Sequence, residues 1–108
     1  MVEPGAVRDL TPQQVAAGLE TGSILLIDVR EPNEAAVERI PGSVLLPLSR
    51  FDPDDIPDPQ GRVVVFTCAA GIRSLCAAEA ALAVGYPYDA HLSGGLKSWK
   101  AAGFPTER

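Results

Sequence analysis

Arg62-Val63-Val64-Val65-Phe66-Thr67-Cys68-Ala69-Ala70-Gly71-Ile72-Arg73-Ser74 decides how this chain folds. Residues 62–67 are a β-branched, apolar block, the pattern of a strand buried on both faces. Beyond Ser74 runs Leu75 to Val84, Ala-rich, charged only at Glu79 and closed by Gly85. That block is apolar nearly all round and predicts a buried helix. Cys68 therefore lies where a strand hands over to a helix, in a loop of small residues. Successive N–H groups in such a loop converge on one point, and the helix N-terminus adds partial positive charge. A thiol there is expected to ionise below the free value of roughly 8.5, at about 5–7. Most free cysteines are small buried hydrophobes. Here Gly71 inside the loop and Arg73 closing it argue instead for an anion cradle around a nucleophilic thiolate.

Upstream, Ile24-Leu25-Leu26-Ile27 is a second continuous apolar strand, followed at once by Asp28-Val29-Arg30. Residues 6–10 predict a short first strand. Thr11-Pro12-Gln13-Gln14 then starts a helix, with Thr11 as N-cap, Pro12 at the first helical position and Gln14 completing a capping box. Val15, Ala16 and Leu19 share one face of it, and Gly22 stops it. Glu31 to Arg39 reads as a short helix, Pro41-Gly42 as a turn and Ser43 to Leu46 as a third strand. Residues 47–61 hold Pro47, Pro53, Pro57 and Pro59 with Asp52, Asp54, Asp55 and Asp58. They predict an acidic surface connection with at most a turn of helix, and 52–58 is also a candidate docking patch. Tyr88 to Leu92 is the fifth strand. Ser93-Gly94-Gly95 opens a last helix with Leu96 and Trp99 on one face, ended by Gly103 and Pro105.

Strands alternating with helices give an α/β fold, a five-stranded parallel sheet flanked by helices on both faces, as one domain over 1–108. Ligands in such sheets bind at the carboxyl ends of the strands. Asp28 and Arg30 are therefore expected on the same rim as Cys68. The formal net charge of −5 makes a nucleic-acid partner unexpected. No apolar stretch approaches a membrane span, and the first residues lack the apolar run of a signal peptide. Two cysteines without such a signal imply free thiols and a cytoplasmic setting. No Cys/His cluster has metal-ligand spacing, and the chemistry implied needs no cofactor.

Four stretches carry a resemblance. They are Leu26-Ile27-Asp28-Val29-Arg30-Glu31-Pro32, Ile40-Pro41-Gly42-Ser43, the loop from Cys68 to Ser74, and Leu92-Ser93-Gly94-Gly95-Leu96-Lys97-Ser98-Trp99 with Gly103-Phe104-Pro105. In this order and spacing they resemble a single-domain rhodanese. The resemblance implies sulfur transfer: a cysteine takes a sulfane sulfur from a donor such as thiosulfate, a persulfide or a polysulfide. It then passes the sulfur to a thiol or cyanide, with a sulfur-relay protein as a further conceivable partner. Carried over, Cys68 is the catalytic persulfide carrier and Ala69, Ala70, Gly71, Ile72 and Arg73 form the substrate-binding loop. Two positions depart from the family pattern: Arg39 stands where His often precedes Ile-Pro-Gly, and Ala35 and Ala36 stand where an aromatic is common.

Arg73 has two readings, holding a donor's anionic group or tying the loop to carboxylates such as Asp28. Asp28 and Arg30 are expected to support the loop, because a carboxylate beside a thiolate would raise its pKa. Cys76 is expected in the core, His91 in a structural place on its strand, and Trp99 in the core. Two rival functions remain open. A cysteine phosphatase or arsenate reductase also uses a thiolate loop before a helix, but such loops resemble C-x5-R and this one is a residue shorter. A partner-binding module that only carries a persulfide is the other.

Overall fold

The computed structural model describes residues 7–108. Five strands, all parallel, form one sheet: β1 (Arg8–Leu10), β2 (Ile24–Asp28), β3 (Val44–Leu45), β4 (Val63–Thr67) and β5 (Ala90–Leu92). Their order across the sheet is β1-β5-β4-β2-β3. The predicted first strand began at Ala6, which lies outside the described residues. Three helices lie between strands, α1 (Pro12–Glu20), α2 (Pro32–Val37) and α3 (Ile72–Ala83), and α4 (Gly95–Ala101) follows β5.

Strand alternation sorts the core into two layers. Leu25, Ile27, Val64 and Phe66 point to one face and pack on Ala77, Ala78 and Ala81 of α3. Leu26 and Val65 point to the other and meet Val15 of α1 and Trp99 of α4. The predicted capping box of α1 is present, with Gln14 N–H donating to Thr11 Oγ1 and Thr11 N–H to Gln14 Oε1.

β3 and β5 are shorter than the expected Ser43 to Leu46 and Tyr88 to Leu92, and two helices differ further from the sequence expectation. α2 was expected to reach Arg39 but ends at Val37, because Glu38 turns extended. Its carbonyl then accepts a hydrogen bond from the Arg30 guanidinium at 2.8 Å. Arg39, the departure from the family pattern, bridges antiparallel to Glu107 through backbone and side chain. α3 is not buried all round. Ser74, Ala77, Ala78 and Ala81 face the sheet, while Ile72, Leu75 and Val84 are exposed. Cys76 is exposed on this outer side and is no core residue.

The acidic connection holds two single-turn 3-10 helices, Leu48–Arg50 and Pro53–Asp55. It is pinned near its start and at its middle: the Ser49 hydroxyl donates to Glu31, and the Tyr86 hydroxyl donates to Asp54.

Candidate active site

The strand-to-helix handover is tighter than the sequence suggested. α3 begins at Ile72, three residues ahead of the Leu75 expected, so only Cys68, Ala69, Ala70 and Gly71 form the loop. Gly71 makes this possible. It caps the helix at φ +96, a left-handed backbone open to glycine at little cost. A Cβ on it would lie 2.9 Å from the Gly94 nitrogen. Arg73 and Ser74 consequently sit in the first helical turn, where backbone N–H groups have no helical acceptor.

These free donors converge on the sulfur. Gly71 N–H donates to Cys68 Sγ at 3.1 Å, and the Ser74 hydroxyl lies 3.5 Å from it. Cys68 is buried. Burial by itself pushes the thiol up. Hydrogen bonds from the Ser74 hydroxyl and from the N–H groups of Ser74, Gly71 and Ala70 outweigh it and hold Cys68 below its ordinary value. The donors around the sulfur therefore shift the thiol in the direction of the thiolate.

The Ser93-Gly94-Gly95 segment clamps the loop from outside. Leu96 N–H donates to the Cys68 carbonyl at 2.7 Å and Lys97 N–H to the Ala69 carbonyl at 3.0 Å. Gly95 has φ +57, and a Cβ there would run into the Cys68 carbonyl oxygen. Gly95→Ala is expected to push the loop outward and cost about 2 kcal/mol, read by denaturant unfolding. Unchanged stability would show that α4 does not brace the loop.

Arg73 is tied to a carboxylate that the sequence did not single out. It makes a bidentate pair with Glu34 of α2, at 2.6 and 2.9 Å, instead of reaching Asp28. The Arg73 guanidinium, opposed by burial and helped by the Glu31 N–H, holds Glu34 down at about 2 from 4.5. Because the folded value is depressed, this bridge stabilises fully above pH 4.5 and is lost as pH falls toward 2. Glu34→Gln is expected to flatten the fall of Tm across that acid range. Parallel Tm curves for the two proteins would reject the assignment.

Asp28 and Arg30 lie at the end of β2, where Asp28 is in register with Thr67. They are spent on each other, however. Arg30 grips both Asp28 oxygens at 2.8 to 3.2 Å, and both side chains are buried. Asp28 reaches the loop only through space, as a charge that helps keep Arg73 protonated. Trp99 is in the core, donating to the Pro105 carbonyl. His91 is in β5 as expected, yet its ring is bonded to Ser74 on one side and Asp9 on the other. The sequence reading assigned no role to Ser74 or Asp9.

The rhodanese-like domain matches residues 11–102. This chain belongs to the rhodanese-like family. It is 34% identical over 86 residues to a sulfurtransferase of Allochromatium vinosum, covering 80% of each. It is 36% identical over 97 residues to an uncharacterized protein of Synechocystis, covering 90% of this chain but 54% of that relative. The chain thus spans about half the length of the Synechocystis protein. Among solved structures it resembles a Rhodopseudomonas palustris protein of unknown function described as a possible tyrosine phosphatase. Their TM-score is 0.79 at 29% identity, over 99% of this chain and 97% of that one.

Proposed function

We propose that this rhodanese-like domain is a sulfurtransferase that carries sulfur as a Cys68 persulfide. One observation carries the reading: the buried Cys68 sulfur has the Gly71 N–H and the Ser74 hydroxyl at hydrogen-bond distance, and among the described residues no cationic side chain hydrogen-bonds to it. Such a shell suits a small, soft, singly charged thiolate or persulfide. The thiolate attacks the sulfane sulfur of the donor. A new S–S bond forms, the donor's own bond to that sulfur breaks, and the leaving group departs with the electron pair, sulfite when the donor is thiosulfate. An acceptor thiolate or cyanide then attacks the outer sulfur, and Cys68 leaves as thiolate. The sulfurtransferase name of the Allochromatium relative supports this class of reaction.

The loop side chains Ala69, Ala70 and Ile72 are uncharged, and Arg73 is paired with Glu34. That combination favours a persulfide or polysulfide donor over thiosulfate. Cys68 and Cys76 are both free thiols, which supports a reducing setting such as the cytoplasm; among the described residues no helix is long and apolar enough to cross a membrane.

A phosphatase reading draws on the Rhodopseudomonas neighbour. Against it stands the loop itself: four residues separate Cys68 from Arg73, one fewer than a tetrahedral oxyanion cradle of the C-x5-R kind uses. The experiment that decides is intact-protein mass spectrometry after exposure to thiosulfate or glutathione persulfide. One added sulfur, removed by a thiol acceptor, is the expected result. Ready hydrolysis of an aryl phosphate with no added sulfur would overturn the proposal.

A further inference from the structure

A line of hydrogen bonds runs from the buried sulfur to the protein surface along three elements. Cys68 Sγ lies 3.5 Å from Ser74 Oγ on α3. Ser74 Oγ lies 2.9 Å from His91 Nδ1 on β5, and His91 Nε2 lies 2.7 Å from Asp9 Oδ1 on β1. Ser74 and His91 are buried, whereas the Asp9 side chain is 72% exposed. Parallel pairing of β1 with β5 sets Asp9 directly beside His91. We propose that Asp9, His91 and Ser74 form a proton-transfer line that holds the Cys68 proton on His91 whenever Cys68 is ionised. The inference deepens the sulfur-transfer reading, on whose nucleophile it rests.

Two proton arrangements satisfy every atom of this line without moving a heavy atom. In the first, the thiol donates to Ser74 Oγ, the Ser74 hydroxyl donates to His91 Nδ1, and Nε2–H donates to Asp9. In the second, the S–H bond has broken and its proton has bonded to Ser74 Oγ. The original Ser74 O–H bond has broken as well, and that proton has bonded to Nδ1. Cys68 is then a thiolate that accepts from Ser74, and His91 is an imidazolium that donates to Ser74 and to Asp9. One proton has moved, one anion and one cation have formed, and no other reactant enters.

The surroundings give the transfer its purpose. The line leads from a buried sulfur to an exposed carboxylate. The other charges packed around the loop are Arg73, its partner Glu34 and the Asp28–Arg30 pair. Among the described residues, none of these bonds to the His91 ring, whose nitrogens contact only Ser74 and Asp9. Asp9 therefore supplies the charge that keeps the imidazolium stable, and Ser74 turns its hydroxyl to suit either state. Once a persulfide anion replaces the thiolate, the imidazolium remains as its counter-charge. In these roles Asp9 and His91 are positioning residues, since neither touches the donor.

The test needs no sulfur donor, so it stands apart from the sulfur-transfer assignment. The background is Cys76→Ser, which leaves Cys68 as the single thiol. Ultraviolet absorbance then follows the thiolate, and nitrogen NMR follows the ring, unambiguous because His91 is the only histidine. The expected result is a ring protonated at both nitrogens while the thiolate is present. In the Cys68→Ser protein, where no anion forms at position 68, the ring should carry a single proton at the same pH. In His91→Asn, which can hydrogen-bond to Ser74 but cannot hold the proton, the thiolate midpoint should rise by about one pH unit or more. Asp9→Asn should move it the same way by less. A neutral ring with bare Nδ1 beside a formed thiolate would overturn the proposal. So would a wild-type thiolate midpoint in folded His91→Asn. Should His91→Asn fail to fold, the comparison of wild type with Cys68→Ser decides alone. A sound proton line in a protein that never gains sulfur would reject the sulfur-transfer reading and leave this one standing.

Discussion

Cys68→Ser protein is expected to gain no sulfur from thiosulfate or glutathione persulfide and to turn over at less than on the order of a thousandth of the wild-type rate. The shell around position 68 is built to receive an anion: Gly71 N–H at 3.1 Å, with the hydroxyl and N–H of Ser74 beside it. A serine hydroxyl fills the same place but hardly ionises at neutral pH, so the shell has no charge to stabilise and the donor meets no nucleophile. The substitution exchanges one small buried side chain for another and keeps a hydrogen-bonding atom facing Ser74. Its cost in stability is expected to stay near 1 kcal/mol, read by thermal unfolding. Exposed Cys76 provides the contrast, since Cys76→Ser should leave both turnover and Tm close to wild type. Near-normal turnover in folded Cys68→Ser, or loss of turnover in Cys76→Ser, would move the nucleophile away from Cys68.

Where local chemistry decides the backbone, the sequence was a good guide. Thr11, Pro12 and Gln14 announce the start of α1, and the apolar runs at 24–27 and 63–67 pair with each other as β2 and β4. The missed side-chain partners depend on residues distant in the chain. Glu34 and Arg73 are 39 residues apart, and nothing in either segment names the other. Ser74 and His91 meet only because β5 lies beside β4 in the sheet, with Phe66 in register with His91. Asp9 completes the line through the β1–β5 register, a pairing of the first described strand with the last. One signal was present: a lone histidine on a strand that ends at the cysteine rim. The bounds of α2 and α3 failed for local reasons. Arg30 captures the Glu38 carbonyl and ends α2 early, while Gly71 starts α3 early by taking up a left-handed cap. Composition alone also misjudged α3, because Ile72, Leu75 and Val84 are apolar yet point outward.

Inserting one glycine after Gly71 is expected to lower sulfur transfer by on the order of a hundredfold, the effect of losing one well-aimed donor, about 3 kcal/mol. The loop between β4 and α3 has no slack. Gly71 both donates to Cys68 Sγ and starts the helix, and a Cβ on it would run into the Gly94 backbone. An added residue separates these tasks. If α3 keeps its place against Ala77 and Ala78, the extra length bulges out and carries the Gly71 N–H away from the sulfur. The Ser74 hydroxyl, fixed by His91, then remains the main side-chain donor to Cys68. The persulfide anion loses stabilisation exactly where its charge arrives, because pre-oriented donors act without reorganisation only while they point at that atom. The wider ring has the C-x5-R spacing, so weak hydrolysis of an aryl phosphate is expected to appear as sulfur transfer falls. Circular dichroism should stay close to wild type, since one more residue in a surface loop adds little closure entropy. Undiminished persulfide formation in the folded variant would show that the four-residue spacing between Cys68 and Arg73 does not select sulfur. The choice between sulfur and phosphoryl chemistry would then rest on groups outside the loop.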